Sequence, residues 1–174
     1  FLETDEEWKN ALKSATDNYP HKIEVPLPNT YGLLFYSHFP VKNYEVNYLI
    51  DDDIPSIVAD LEYNNQIVRL FGIHPTPPVP QENPESTERD AEILLVGEKA
   101  RNYSKPSIVF GDLNDVAWSR TTKLFLKSSG MLDPRRGRGM FNTFHVKYSF
   151  LTFFFFLETE FPSCRPGWSA VVQS

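Results

Sequence analysis

The beginning of the chain has the pattern of an amphipathic helix. A capping-box pattern at residues 4–7 precedes apolar residues that share one helical stripe. The stripe consists of Trp8, Ala11, Leu12 and Ala15. The pattern predicts a helix of about ten to fourteen residues that ends near Asn18-Tyr19-Pro20.

Between residues 31 and 73 the pattern changes to short apolar runs separated by Pro, Asp or Asn clusters. The predicted strands cover residues 31–37, 44–50, 56–61 and 66–73. Asn64-Asn65 is typical of a hairpin turn, so the block predicts an antiparallel, meander-like sheet. We interpret Asp51-Asp52-Asp53 as a solvated acidic turn rather than a cation site.

The next unit runs from a strand through a loop and a helix to a second strand. The first strand ends in His74-Pro75, and the helix has Ser86 or Thr87 as its cap. Its predicted core contacts are Ala91, Leu94 and Leu95. Because this connection favours parallel strands, the loops that follow the two strands should open on the same edge of the sheet. A further helix is predicted at residues 119–129, stopped by Gly130.

The second strand, Ile108 to Phe110, leads into Gly111-Asp112-Leu113-Asn114. Asp112 and Asn114 stand at alternate positions and should leave the strand on the same face. A carboxylate can orient or accept a proton there, and an amide can donate a hydrogen bond. The alternative is an Asx turn that closes the strand, and the short motif alone does not decide between them.

Composition narrows the classes of function. The chain has 174 residues and a net charge of −6, which argues against extended duplex DNA as a tight ligand but leaves shorter nucleic acids open. A single cysteine, Cys164, excludes an internal disulfide. Neither a signal peptide nor a membrane-spanning run is recognisable. The arginines in the loop at residues 133–139 either recognise phosphate or are solvated.

The order of these motifs resembles the endonuclease/exonuclease/phosphatase superfamily, over about residues 1 to 148. The resemblance lies in six short segments in the order of that family. They are Leu2-Glu3-Thr4-Asp5 with Trp8, Tyr31-Gly32 through Tyr36-Ser37, His74-Pro75 with Pro77, Ser86-Thr87-Glu88-Arg89-Asp90, Gly111-Asp112-Leu113-Asn114 and Asn142-Thr143-Phe144. The resemblance implies an α+β, DNase I-like α/β/β/α sandwich, with two packed, mainly antiparallel sheets flanked by helices.

The resemblance also implies metal-dependent hydrolysis of a phosphate ester, either a phosphodiester or a phosphomonoester. Glu3 would bind the metal, Mg²⁺ or Mn²⁺. Asp112 would orient or deprotonate the attacking water, and Asn114 would donate to a phosphoryl oxygen. His74 would stabilise the phosphate or protonate the leaving group. Arg89 and Arg138 are candidate phosphate contacts.

Two departures from the family give an alternative hypothesis. The family begins with a strand that carries a metal-binding asparagine, and nothing precedes Phe1 in this sequence. It also ends with an Asp-His pair on a late strand, and no such pair follows Tyr148. The alternative is a catalytically impaired fragment that binds only cation or phosphate. We expect residues 149–174 to be an atypical Phe-rich tail outside the family domain. This tail would either fill a sheet edge or form an exposed aggregation-prone segment.

Overall fold

The computed structural model describes residues 1–77, 86–116 and 118–133, together with the backbone of residues 156–158. Within these ranges the chain forms three helices and seven strands. In chain order they are α1 (Glu6–Thr16), β1 (His21–Val25), β2 (Leu33–Ser37), β3 (Val41–Tyr48), β4 (Pro55–Tyr63), β5 (Gln66–Ile73), α2 (Thr87–Arg101), β6 (Ser107–Gly111), α3 (Arg120–Ser129) and β7 (Phe156–Glu158). None of the helices in these ranges is long and apolar enough to cross a bilayer.

Helix α1 begins one residue later than the capping-box pattern predicts, because Asp5 and not Thr4 is its cap. The Asp5 side chain accepts a hydrogen bond from the Trp8 backbone N–H at 2.8 Å, which satisfies a free donor of the first turn. The apolar stripe, however, is largely exposed, and Trp8 is 57% exposed. The helix instead contacts the neighbouring sheet through polar groups, since Lys9 Nζ lies 3.5 Å from Glu24 Oε2.

Two sheets pack face to face next to this helix. The smaller sheet contains β1 and β2, paired antiparallel, and the larger has the order β3-β4-β5-β6-β7. The cluster between the sheets joins Ile23 and Leu33 to Ile57 and Ala59. Strand β1 was missed by the sequence analysis, because it is short and only Ile23 among its five residues is buried.

The pairing in the larger sheet matches the sequence prediction in part. The last three predicted strands of the meander pair as expected, but the first, at residues 31–37, lies in the smaller sheet as β2, where its partner is β1. Strands β3, β4 and β5 pair antiparallel, and Asn64 and Asn65 form the turn between β4 and β5 with φ angles of 49° and 61°. Strand β5 pairs parallel with β6, with Ile73 opposite Gly111. Strand β7 pairs antiparallel with β6, on the side of β6 that faces away from β5. The two loops that follow β5 and β6 therefore leave the same edge of the sheet.

Helices α2 and α3 cover the other face of the larger sheet. Their shared core contains Phe71, Ile93, Val96, Val109 and Phe125. The two helices approach closely: a Cβ atom added at Gly97 would lie 2.8 Å from the Phe125 ring.

The predicted core contacts of α2 were wrong in part. Ala91 is exposed, and Leu94 and Leu95 are half-buried. The buried face passes instead through Ile93 and Val96, and it also carries the polar residues Arg89 and Glu92. The two polar residues conceal the helical period of this face in the sequence. The whole has the order α1, small sheet, large sheet, α2 with α3, and this confirms the predicted α/β/β/α layers.

We predict that Glu92 makes the stability of the fold depend on pH. Glu92 is 3% exposed, and burial raises the pKa of its carboxyl from 4.5 to about 7. Between these pH values the folded chain keeps a proton that the unfolded chain releases. The free energy of unfolding should therefore fall as pH rises through this window, by on the order of 3 kcal/mol. Glu92→Gln should remove this fall in urea-unfolding experiments at several pH values.

The matched control is Glu98→Gln, which makes the same change at an exposed position of α2. The control should retain the pH dependence of the parent chain. A Glu92→Gln variant whose stability falls with pH as steeply as that of the parent would contradict the prediction.

Candidate functional site

The loop after β6 begins with a turn that only glycine can make. Gly111 has φ 132°, and a Cβ atom there would lie 1.9 Å from the Ile73 carbonyl oxygen. The following residues alternate in burial: Leu113 is 3% exposed and belongs to the core, whereas Asp112 and Asn114 are half-buried. The core thus fixes Leu113 and leaves its two polar neighbours at the sheet edge.

Asp112 and Asn114 are connected by an Asx turn. The Asn114 backbone N–H donates to Asp112 Oδ1 at 2.9 Å. The Asn114 side chain donates through Nδ2 to the Pro75 carbonyl oxygen at 2.8 Å, which ties this loop to the loop that follows β5. The turn interpretation therefore holds. The Asx turn also lies beside His74-Pro75, because Asn114 is bonded both to Asp112 and to the Pro75 carbonyl.

His74 is buried where β5 ends. It is 3% exposed, and its ring centroid lies 5.5 Å from that of Tyr31. Among the described residues, the buried Nδ1 atom has no hydrogen-bond partner. Burial lowers the pKa of His74 below its ordinary value, so the neutral imidazole predominates near neutral pH.

Two carboxylates act on His74 against the effect of burial. The charges of Asp112 and, more weakly, Glu3 raise the pKa of His74. The interaction between two charges weakens with distance, so carboxylates that act on His74 must lie in its neighbourhood. Glu3, His74 and Asp112, which are far apart in the sequence, are therefore brought to one region of the molecule.

Glu3 reaches this region through the close packing of Thr4 on Gly32. The Thr4 N–H donates to the Gly32 carbonyl oxygen at 3.1 Å, and a Cβ atom at Gly32 would lie 1.7 Å from the Thr4 oxygen. Tyr31, the neighbour of Gly32, contacts His74. Glu3 itself is exposed and has φ 55°, a costly angle for a residue with a side chain.

The two candidate phosphate contacts differ in what the structure describes. Arg89 is 9% exposed, and its Nη1 donates to the Asn114 carbonyl oxygen at 2.8 Å. Arg89 therefore holds the backbone of the loop that carries Asp112 and Asn114. Its contact with a phosphate stays a prediction. Arg138 and the Asn142-Thr143-Phe144 segment lie outside the described residues.

A divalent metal ion is compatible with the described part of the site only as a largely hydrated ion. No group of three or more His, Cys, Asp or Glu residues could hold an ion within the described ranges. Glu3 is exposed and makes no hydrogen bond or ion pair there. Mg²⁺ commonly keeps several waters and takes one or two carboxylates, so Glu3 with substrate oxygens fits this ion.

Sequence reasoning assigned no role in the site to two residues that the structure places beside it. Tyr31 packs against His74, and Asp115, which is 4% exposed, accepts hydrogen bonds from α3. The glycine after Tyr31 was a usable signal, since glycine is required where backbones approach closely. Asp115 gave no comparable signal, because its partners lie four and seven residues further along the chain.

The chain matches the Endonuclease/Exonuclease/phosphatase family over residues 1–170. It therefore belongs to this family. The match extends beyond residue 148, and the division of the chain at that residue stays a prediction. A comparison with curated protein sequences gives no match.

Solved structures of DNase I-like proteins share the fold. Sphingomyelinase C from Streptomyces griseocarneus has a TM-score of 0.61 at 16% identity, covering 75% of this chain and 56% of that chain. D. rerio TDP2, complexed with a single-strand DNA product, has a TM-score of 0.67 at 15% identity, covering 95% and 71%. A mutant beta toxin from Staphylococcus aureus with bound magnesium ions has a TM-score of 0.56 at 16% identity, covering 72% and 54%. The chain thus spans little more than half of the sphingomyelinase and the toxin.

We predict that Gly111→Ala disrupts the site, because a Cβ atom would strike the Ile73 carbonyl 1.9 Å away. The clash and the unfavourable φ should together lower the free energy of unfolding by about 3 kcal/mol or more. Gly130→Ala is the matched control, since Gly130 also has a positive φ, 73°, but no atom lies within 4 Å of the added Cβ. Its cost should be about 1 kcal/mol. Equal losses in urea unfolding would contradict this account of Gly111.

Proposed function

We propose that this chain acts as a metal-dependent phosphoric-ester hydrolase. The observation that carries the proposal is the effect of Asp112 and Glu3 on the pKa of His74. This effect supports a site in which two acids and an imidazole share one region, and the hydrogen bond from Asn114 to the Pro75 carbonyl supports the amide as its neighbour. Family membership supports the reaction class, since the family name comprises endonucleases, exonucleases and phosphatases.

In this proposal Asp112 orients or deprotonates the attacking water. Its Oδ1 accepts the Asn114 N–H, and within the described residues no hydrogen bond engages Oδ2. The Asx turn thus fixes the direction of the carboxylate and leaves one oxygen for a water proton. A positioned carboxylate that acts as a general base typically raises the reaction rate by about 10²- to 10⁴-fold.

Asn114 and His74 act on the phosphate. One Nδ2 hydrogen of Asn114 is used by Pro75, and the second can be donated to a phosphoryl oxygen. The neutral imidazole of His74 can donate one hydrogen bond and accept another. Since burial lowers the pKa of His74, we assign it a hydrogen bond to the phosphate in preference to a fixed positive charge.

Glu3 would hold the divalent ion, Mg²⁺ or Mn²⁺. The ion supplies charge neutralisation at the phosphoryl oxygens when it is bound. The exposed position of Glu3 near His74 supports this assignment, because a hydrated ion needs open space as well as a carboxylate.

A specific observation favours the alternative, a family member that binds cation or phosphate with little turnover. Strand β7 lies directly beside β6, the strand that leads into Asp112. Its sequence is Phe-Leu-Glu, and the Asp-His pair expected from the family does not occur after Tyr148. Loss of one member of a catalytic unit commonly costs orders of magnitude in rate.

We predict that the chain hydrolyses an aryl phosphodiester such as bis(4-nitrophenyl) phosphate only with Mg²⁺ or Mn²⁺ present. Asp112→Asn should lower the rate by at least about 100-fold, because the amide cannot take a proton from water. This variant keeps an oxygen that can accept the Asn114 N–H, so the Asx turn is preserved. Asp52→Asn makes the same change at an exposed position and should leave the rate unaltered.

Equal rates for the parent chain and Asp112→Asn would remove Asp112 from the mechanism. No hydrolysis by the parent chain, together with binding of Mn²⁺ in calorimetry, would instead support the alternative. Sphingomyelin and a short DNA single strand belong in the substrate panel, because one structural neighbour is a sphingomyelinase and another holds a single-strand DNA product.

A further inference from the structure

The buried guanidinium of Arg89 is directed at the loop that carries Asp112 and Asn114. Its Nε and Nη2 donate to Asp90 Oδ1 at 3.0 and 2.7 Å, and its Nη1 donates to the Asn114 carbonyl oxygen at 2.8 Å. Buried charges require paired and hydrogen-bonded partners. For Arg89 these partners include the backbone of the site loop.

Asn114 is held by three hydrogen bonds. Its N–H donates to Asp112, its carbonyl oxygen accepts from Arg89, and its side chain donates to Pro75. Its φ of 47° lies in the left-handed region, which asparagine adopts more readily than most residues with a side chain. Of the three bonds, the one from Arg89 comes from outside the two site loops.

Asp115 holds the other end of the same loop. Its Oδ1 accepts the Val116 N–H at 2.8 Å, and its Oδ2 accepts the hydroxyls of Ser119 and Thr122 at 2.5 and 3.0 Å. Arg89 Nη2 lies 3.7 Å from Asp115 Oδ1. Together the two residues connect the loop to the first turns of α2 and α3.

We infer that Arg89 and Asp115 are positioning residues for the hydrolysis, and this inference rests on the proposed function. They fix the backbone at Asn114 and thereby direct the side chains of Asp112 and Asn114. Arg89 then acts through the loop and not on the substrate. Its loss should lower kcat and leave KM nearly unchanged.

Arg89→Ala should reduce kcat about 10- to 100-fold with KM within about twofold, as expected when reacting groups are misplaced by a fraction of an ångström to an ångström. Asp115→Asn should reduce kcat in the same direction. Methylguanidinium in the low millimolar range should restore part of the kcat of Arg89→Ala, and methylammonium should not, because it lacks the planar fork of donors.

Arg101→Ala is the matched control. Arg101 lies at the other end of α2, and its Nη1 also donates to a backbone carbonyl, that of Ser128 at 2.9 Å. Both kinetic constants should stay within about twofold of the parent values, since no site residue is touched. If Arg89→Ala does not fold, Arg89→Lys takes its place, since it keeps the charge without the fork.

Amide hydrogen exchange at Asn114 and Val116 gives a readout that does not depend on activity. Exchange at both should be faster in Arg89→Ala than in the parent chain and unchanged in Arg101→Ala.

A raised KM with unaltered kcat would overturn the inference and indicate a phosphate contact. Unaltered kcat in a folded Arg89→Ala or Asp115→Asn variant would overturn it for that residue. If the parent chain hydrolyses nothing, the proposed function fails, and unaltered exchange in Arg89→Ala would separately overturn the positioning of the loop.

Discussion

The parallel pairing of β5 with β6 is the constraint on which the site depends. Parallel neighbours end at the same edge, so the residues that follow each strand meet there. At this edge Gly111 packs on the Ile73 carbonyl, and Asn114 donates to the Pro75 carbonyl. The two strands thus approach closely through their backbones, and a side-chain hydrogen bond joins the loops that follow them, which leaves little freedom for His74 relative to Asp112.

Burial and nearby charges have opposite effects on the pKa of His74. His74 is buried, and burial alone favours the neutral ring. The carboxylates of Asp112 and Glu3 oppose that effect from two other parts of the sequence. Titratable groups whose pKa values are perturbed by burial and by specific charged partners cluster at functional sites. Here the exposed Glu3 and the half-buried Asp112 face solvent that a substrate could displace.

Much of the fold could be predicted from the sequence, because the local signals agree with the final packing. The Asp5 cap, the Asn64-Asn65 turn and Gly130 each act within a few residues. Prediction failed where tertiary contacts determine which face of a helix is buried. The Trp8 stripe is exposed, and the buried face of α2 carries Arg89 and Glu92.

The candidate site was accessible from sequence only in part. The order of strand, helix and strand predicted that the loop at Gly111-Asp112-Leu113-Asn114 and the loop at His74 lie at the same edge of the sheet. The position of Glu3 depends on the packing of Thr4 against Gly32 in the other sheet, and periodicity carries no information about that contact. Likewise, the hydrogen bond from Arg89 to the Asn114 carbonyl joins residues 25 positions apart.

The most direct measurement of the central claim is the pKa of His74, followed by NMR in the parent chain and in Asp112→Asn and Glu3→Gln. If both acids lie beside His74, neutralising either should lower its pKa further, and Asp112→Asn should have the larger effect. An unchanged pKa of His74 in both variants would show that the three groups do not share a site.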